Sequence, residues 1–336
     1  MNFCVFGAGA WGTAMATHLV GLGHSVTLVP RRMEHALAIA SERENSEYLP
    51  GIPLDQNLQV GCETRPVLME TEVILLACPS KALRKTCSGI KEFLGDARQA
   101  KCFLALCKGL EPDSLKLPHV VIQEELGECV TSGYLTGPSY AREIAEGKPA
   151  ALVLAINGDR DFASRIQAAV SSPTLRAYLS SDLAGAGLGS CLKNIYAIAT
   201  GILDGLQLGE NARAALITRS LNEMIELGEA LGGMRTTFYG LSGFGDLVAT
   251  CTGDWSRNRT LGLEIGRGQS PLEIISKQNS VVEGYAATEC FHSLCLEKSL
   301  DAPILTEVWS ILHENKPPRE ALQSLMNRDL KSESLS

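Results

Sequence analysis

The chain opens on a strand, a glycine turn and a helix, and few folds accept that order. Asn2–Phe6 is a short apolar run, and Gly7-Ala8-Gly9-Ala10-Trp11-Gly12 follows at once. The segment Trp11–Gly21 then reads as a helix that leads to a second apolar run at Ser25. A GxGxxG pattern alone is weak, but between a strand and a helix it has a mechanism. Gly7 permits a tight turn, Gly9 lets the backbone approach a pyrophosphate, and Gly12 lets helix and strand pack closely. The helix amino terminus adds free N–H groups and the positive end of a dipole. The alternative is a glycine-rich turn that holds no ligand.

The first half of the chain repeats that unit. Candidate strands are Asn2–Phe6, Ser25–Val29, Val73–Ala77, Cys102–Leu106, Val130–Leu135, Ala151–Ile156 and Leu175–Leu179. They are near-continuous in Val, Leu, Ile and Phe, the pattern of parallel strands covered on both faces. With helical segments such as 163–170 between them, they predict an α/β fold with a Rossmann-type, mostly parallel sheet. After about residue 181 the strands stop. Helical patterns over 183–205, 211–231, 271–277, 285–298, 303–314 and 318–330 predict an all-helical carboxyl-terminal domain. Ser270-Pro271-Leu272-Glu273 is a capping box with proline at the first helical position. The expected division is 1–181 for a dinucleotide-binding domain, 182–330 for a helical substrate and catalytic domain, and a frayed tail over 331–336. A length of 336 residues agrees with two domains.

Composition removes several classes of function. A net charge of −8, from 30 basic against 38 acidic residues, opposes nucleic-acid binding. The 11 cysteines contain no CxxC pair, so they read as small buried hydrophobes in a reducing compartment, with no metal site. The amino terminus starts a strand at once and lacks the basic region of a signal peptide, which points to the cytoplasm. Leu183 to Leu203 is long enough for a membrane span and carries one charge, Lys193. Its glycine, alanine and serine content, with Lys193-Asn194 at the centre, favours a helix buried in protein and no membrane insertion.

A few polar residues stand where they suggest chemistry. Val29-Pro30-Arg31-Arg32 ends the second strand, where an enzyme for NAD would carry an acid; two arginines suit the 2′-phosphate of NADP. A solvated basic loop is the other reading. Lys108 follows a strand at its carboxyl end, where open sheets place ligands, or it is a surface lysine. Lys193 has Gly189, Ser190, Tyr196 and Ala197 as helical neighbours, so no carboxylate of its own helix pairs with it. Burial of that kind makes lysine a usable acid or base, unless the side chain snorkels to the surface. Asp246 and Thr250 are four apart, on one face if helical, and Ser256-Arg257-Asn258-Arg259 is either a phosphate grip or a solvated loop.

Taken together these residues make the chain resemble bacterial NAD(P)-dependent glycerol-3-phosphate dehydrogenases over nearly its whole length. The resemblance rests on Gly7 to Ala14, Cys107-Lys108-Gly109-Leu110, and Leu135-Thr136-Gly137-Pro138-Ser139-Tyr140-Ala141. It continues through Leu192-Lys193-Asn194, Gly209-Glu210-Asn211-Ala212-Arg213, Gly243-Phe244-Gly245-Asp246-Leu247, 256–259 and Val282-Glu283-Gly284-Tyr285. It implies reversible hydride transfer between NAD(P)H and dihydroxyacetone phosphate, supplying glycerophospholipid synthesis. It further implies Lys193 as catalytic acid/base, oriented by Asp246. Lys108, Gly137, Ser139, Asn194, Asp246, Thr250, Ser256, Arg257 and Asn258 would contact the small-molecule substrate. Gly7, Gly9, Ala10, Trp11, Gly12, Arg31, Arg32, Lys108, Ala141, Arg257, Val281 and Glu283 would line the cofactor. NADP(H) is expected to be preferred, with NAD(H) as second choice, and similar enzymes are often homodimers. Pro30 before the arginine pair is a mild departure that bears on how those arginines point. Two rivals remain: a related two-domain hydroxyacid or ketoacid reductase, and a dinucleotide-binding sensor without turnover.

Overall fold

The structure, a computed structural model, describes residues 1–95, 102–128, 130–277, 282–330 and 332. Strands and helices alternate first: β1 Asn2–Phe6, α1 Ala10–Gly21, β2 Ser25–Val29, α2 Met33–Glu42, β3 Glu44–Asn45, β4 Leu49–Pro53, β5 Gln59–Val60. Next come α3 Thr64–Glu70, β6 Val73–Leu76, α4 Ser80–Leu94, β7 Cys102–Ala105, α5 Pro118–Leu126 and β8 Thr131–Thr136. The series closes with α6 Ala141–Ala145, β9 Ala150–Ile156, α7 Arg160–Val170 and β10 Leu175–Ser180. Helices follow: α8 Leu183–Gly205, α9 Glu210–Ala230, α10 Arg235–Phe238, a π-turn over Leu241–Gly245 and α11 Asp246–Thr252. The last are α12 Arg257–Gly266, α13 Pro271–Lys277, α14 Glu283–Lys298, α15 Pro303–His313 and α16 Pro318–Met326.

Two compact units contain these elements. The first is Met1–Cys191 with Gly228–Ala249, and the second is Leu192–Leu227 with Thr250–Ser336. The dividing points of these units fall inside α8, α9 and α11, and the strands end at Ser180.

The first unit is built on an eight-stranded sheet in the order β10-β9-β8-β7-β6-β1-β2-β5. Its near-continuous apolar strands serve two cores at once. Phe3 and Val5 of β1, Val73 and Leu75 of β6, and Cys102 and Leu104 of β7 enter one core. Their neighbours Cys4, Phe6, Ile74, Leu76, Phe103 and Ala105 enter the other. Alternation across a pleated strand sends every second residue to the opposite face, and here both faces are dry. The sheet is not wholly parallel: β9 runs antiparallel to β8, and β10 follows β9. The chain leaves β1 toward β2 on one side and returns to β6 on the other, so the sheet reverses its winding at β1. Ligands of open sheets bind at that point. The two-residue strands β3 and β5 and the proline-broken β4 carry no readable period, which is why the sequence did not reveal them.

Within the second unit, α8 and α12 meet backbone to backbone. Gly201 and Gly205 of α8 face α12, and an added Cβ would overlap the Arg259 and Leu263 carbonyls. Gly262 and Gly266 of α12 answer them, blocked by the Ile198 and Ile202 carbonyls. The small residues that gave α8 its membrane-like look serve this close approach. No helix of the described residues is long and apolar enough to cross a membrane.

Candidate active site

At the glycine turn, Gly7 takes φ 110, and a Cβ on it would lie 2.7 Å from the Ala77 carbonyl oxygen. Only glycine fits that backbone without strain. A Cβ on Gly12 would overlap the Gly7 carbonyl, so turn and helix touch directly. Gly9 differs: its backbone is extended at φ −74, and nothing lies within 4 Å of an added Cβ. It borders open space. No side chain caps α1, and its first turn holds no acid, which leaves the amides starting at Ala10 and Trp11 to an anion. The Trp11 indole Nε1 is buried and finds no hydrogen-bond acceptor among the described residues. An open backbone, uncapped amides and an orphaned donor fit the pyrophosphate of a dinucleotide.

Asn45 braces this turn, a contact the sequence did not reveal. Its amide nitrogen donates to the Ala8 carbonyl at 2.9 Å and to the Thr13 hydroxyl at 2.7 Å, while His35 Nε2 lies 3.0 Å from its oxygen. The bonds span 37 and 32 residues, and no local pattern in 44–46 could have announced them. The arginine pair after β2 is divided. Arg31 is exposed and makes no ion pair with the described residues, but Arg32 is bound to Glu47 at 2.5 Å.

Lys108 follows β7, and its ammonium is held by two acceptors. It donates to Asp246 Oδ2 at 2.6 Å and to the Gly137 carbonyl at 2.9 Å. The carbonyl of Gly137, at the end of β8, also accepts from the Ser139 hydroxyl at 2.9 Å. Both side chains of the ion pair are buried, at 11% and 3% exposure. Asp246, which the sequence sets beside Lys193, accepts from Lys108. Ala141, the first residue of α6, is half-buried, and next to it the Tyr140 hydroxyl donates to the Ala249 carbonyl at 2.7 Å.

In the second unit Lys193 is 6% exposed and donates to the Thr250 hydroxyl at 2.7 Å. Asn194 accepts from the Asn258 amide at 2.8 Å, and the Asn258 oxygen accepts from the Gly284 N–H at 2.9 Å. One carboxamide pair thus ties α8, α12 and the start of α14, whose first residue, Glu283, is half-buried. Ser256 caps α12, accepting from the Arg259 N–H at 3.2 Å. The two arginines of 256–259 stand in different surroundings. Arg259 is held by Asp204 at 2.9 Å, and Arg257 alone remains exposed, beside a helix start that favours anions. Val281 lies outside the described residues. Among those residues no group of His, Cys, Asp and Glu is arranged to hold a metal ion.

Comparison with known proteins bears on both units. Residues 2–162 match the model of the NAD-dependent glycerol-3-phosphate dehydrogenase N-terminus, and 182–323 that of its C-terminus. A glycerol-3-phosphate dehydrogenase [NAD(P)+] of Nitrosomonas eutropha is 42% identical over 329 residues, covering 98% of each chain. One from Thiobacillus denitrificans is 42% identical over 335 residues, 99% of this chain and 100% of that protein. The crystal structure of a Coxiella burnetii glycerol-3-phosphate dehydrogenase superposes with a TM-score of 0.92 at 37% identity, over 97% of this chain and 99% of that one.

Proposed function

The chain belongs to the NAD-dependent glycerol-3-phosphate dehydrogenase family, and from that membership we propose how its own residues carry the reaction. The protein is an oxidoreductase that transfers a hydride between NAD(P)H and dihydroxyacetone phosphate, giving sn-glycerol 3-phosphate reversibly. When bound, the nicotinamide cofactor supplies the hydride. Lys193 donates the proton that the carbonyl oxygen takes up as negative charge builds on it. The supporting observation is a buried ammonium fixed by the Thr250 hydroxyl at 2.7 Å. Lys108, held by Asp246 and Gly137, presents a second fixed ammonium to substrate or cofactor. Arg257 and the Ser256 cap take the phosphate, with Asn258 and Asn194 beside them. Binding energy from that non-reacting end positions the carbonyl.

For the cofactor, the uncapped amides at Ala10 and Trp11, over Gly7, Gly9 and Gly12, take the pyrophosphate. Arg31 and Arg32 favour NADP(H) over NAD(H) at the ribose, while Ala141 and Glu283 line the remainder. The enzyme is cytoplasmic, consistent with ten described cysteines that are all free thiols, and it assembles as a homodimer. Its product feeds glycerophospholipid synthesis.

The test follows nicotinamide absorbance with dihydroxyacetone phosphate, comparing NADPH with NADH. Lys193→Ala is expected to lower kcat by ~10²–10⁴ while leaving cofactor affinity intact. A near-normal kcat removes Lys193 from the role. Cofactor binding without oxidation by the wild type would instead favour the sensor, and turnover of a 2-ketoacid the related reductases.

A further inference from the structure

The adenosine end of the dinucleotide site carries two opposed signals within a short distance. Arg31 and Arg32 follow β2, and guanidinium groups of this kind bind a ribose 2′-phosphate. Enzymes that use NAD place an acid near the same point, where it accepts from the ribose 2′-hydroxyl. Here β2 ends in Val29-Pro30-Arg31-Arg32 and offers no acid. Glu47 brings one in from the turn between β3 and β4. A single guanidinium nitrogen of Arg32 bridges its two oxygens at 2.7 and 2.5 Å. The remaining donors of that guanidinium are left for another acceptor.

Two observations tie Glu47 to the cofactor and not to a remote surface. Asn45, two residues earlier, is buried and bonded to the Ala8 carbonyl of the phosphate turn. Arg32, His35, Asn45 and Glu47 also line one cavity of about 200 Å³. The Tyr48 hydroxyl first, and Arg32 after it, hold the Glu47 carboxyl below its ordinary range, so it is ionised at neutral pH. Both members of the pair are about half exposed, at 46% and 47%. Such pairs are screened by solvent and exchange partners readily.

We infer that Glu47 sets the cofactor choice: its carboxylate competes with a 2′-phosphate for Arg32 and accepts from a 2′-hydroxyl where that phosphate is missing. This rests on the dinucleotide reading above and deepens it. The arginines alone would favour NADPH strongly. Glu47 opposes them twice, by occupying Arg32 and by repelling a doubly charged phosphate, and it gives NADH a partner. One turn therefore narrows the discrimination that the neighbouring strand end creates.

The experiment measures dissociation constants of NADPH, NADH, adenosine 2′,5′-bisphosphate and 5′-AMP by calorimetry, without turnover. It uses the wild type, Glu47→Gln, and Glu34→Gln as a control that removes an exposed acid from the same cavity. Glu47→Gln is expected to tighten NADPH and the bisphosphate by roughly three- to tenfold, and to leave NADH and AMP unchanged or weaker. Thermal unfolding of each variant verifies that the surface change leaves the fold intact. An unaltered NADH-to-NADPH ratio in Glu47→Gln overturns the inference, as does an equal change in Glu34→Gln. A wild type that binds none of the four overturns the dinucleotide reading itself, a result distinct from either.

Discussion

Gly9 and Gly12 belong to one turn, yet alanine should injure them in different ways. At Gly12 a methyl would overlap the Gly7 carbonyl and approach the Ala77 Cβ to 2.9 Å, so Gly12→Ala should lower the melting temperature by several degrees. At Gly9 the backbone suits any residue, and the methyl meets only open space. Gly9→Ala should therefore melt like the wild type while losing at least about tenfold in cofactor affinity. An unchanged cofactor affinity in Gly9→Ala would show that the open space is not the pyrophosphate seat. The buried Lys108–Asp246 pair sets a third expectation. Asp246→Asn removes the carboxylate of a buried ion pair, a change that costs about 3–5 kcal/mol, readable by urea unfolding. Charges set in apolar sequence, such as Lys193, stand out to a reader of the chain alone. Asn45 does not, because a polar residue in a polar loop acquires its task only from contacts 32 and 37 residues away.

Among elements, α8 and α15 differ in what holds them. Placing α8 against α12 depends on four glycines, and Gly201→Ala or Gly262→Ala must push the helices apart. A loss of about 1–3 kcal/mol is expected, with a higher KM for dihydroxyacetone phosphate, since α12 carries Arg257 at its start. The start of α15 is capped by Glu223, which accepts from the Ile304 and Leu305 amides at 2.7 and 3.0 Å. Burial pushes that carboxyl from 4.5 up to about 7, although the two amides pull it down. Its proton is thus held more tightly in the folded chain than in the unfolded one. The stability this gives is full below about pH 4.5, fades as pH rises, and is gone above about pH 7. Glu223→Gln cannot lose that proton. Its melting temperature minus that of the wild type should climb between about pH 5 and 7 and then level off; a flat difference would contradict the assignment. Long apolar or capped elements were legible in the sequence because period and punctuation are local. The helices within 235–266 were not: a Phe238 ring against Gly228 and a Ser242 carbonyl against Gly189 shape that stretch from a distance.

For the whole molecule, the change from strands to helices near residue 181 was legible, and the path of the chain was not. The first unit takes back Gly228–Ala249 after the chain has left it. Leu183 and Ala186 of α8 fill one of its cores, with Leu241 packed against that core, and Gly187 lies against the Tyr134 ring. Residues 1–181 expressed alone should therefore fail to unfold cooperatively and should bind a hydrophobic dye, by differential scanning calorimetry and fluorescence respectively. Cooperative melting of that fragment would show that the returning segment is dispensable. On the proposed assignment of the site, the glycine contact of the second unit bears on substrate choice. Lys193 rides on one of the touching helices and Arg257 on the other, and at the four glycines main chain lies directly against main chain. On the roles proposed for Lys193 and Arg257, the span from reacting oxygen to anchored phosphorus is gauged by main-chain atoms, so admitting a longer-carbon ketose phosphate by redesign would require rebuilding a helix end, since the gauge has no adjustable jaw.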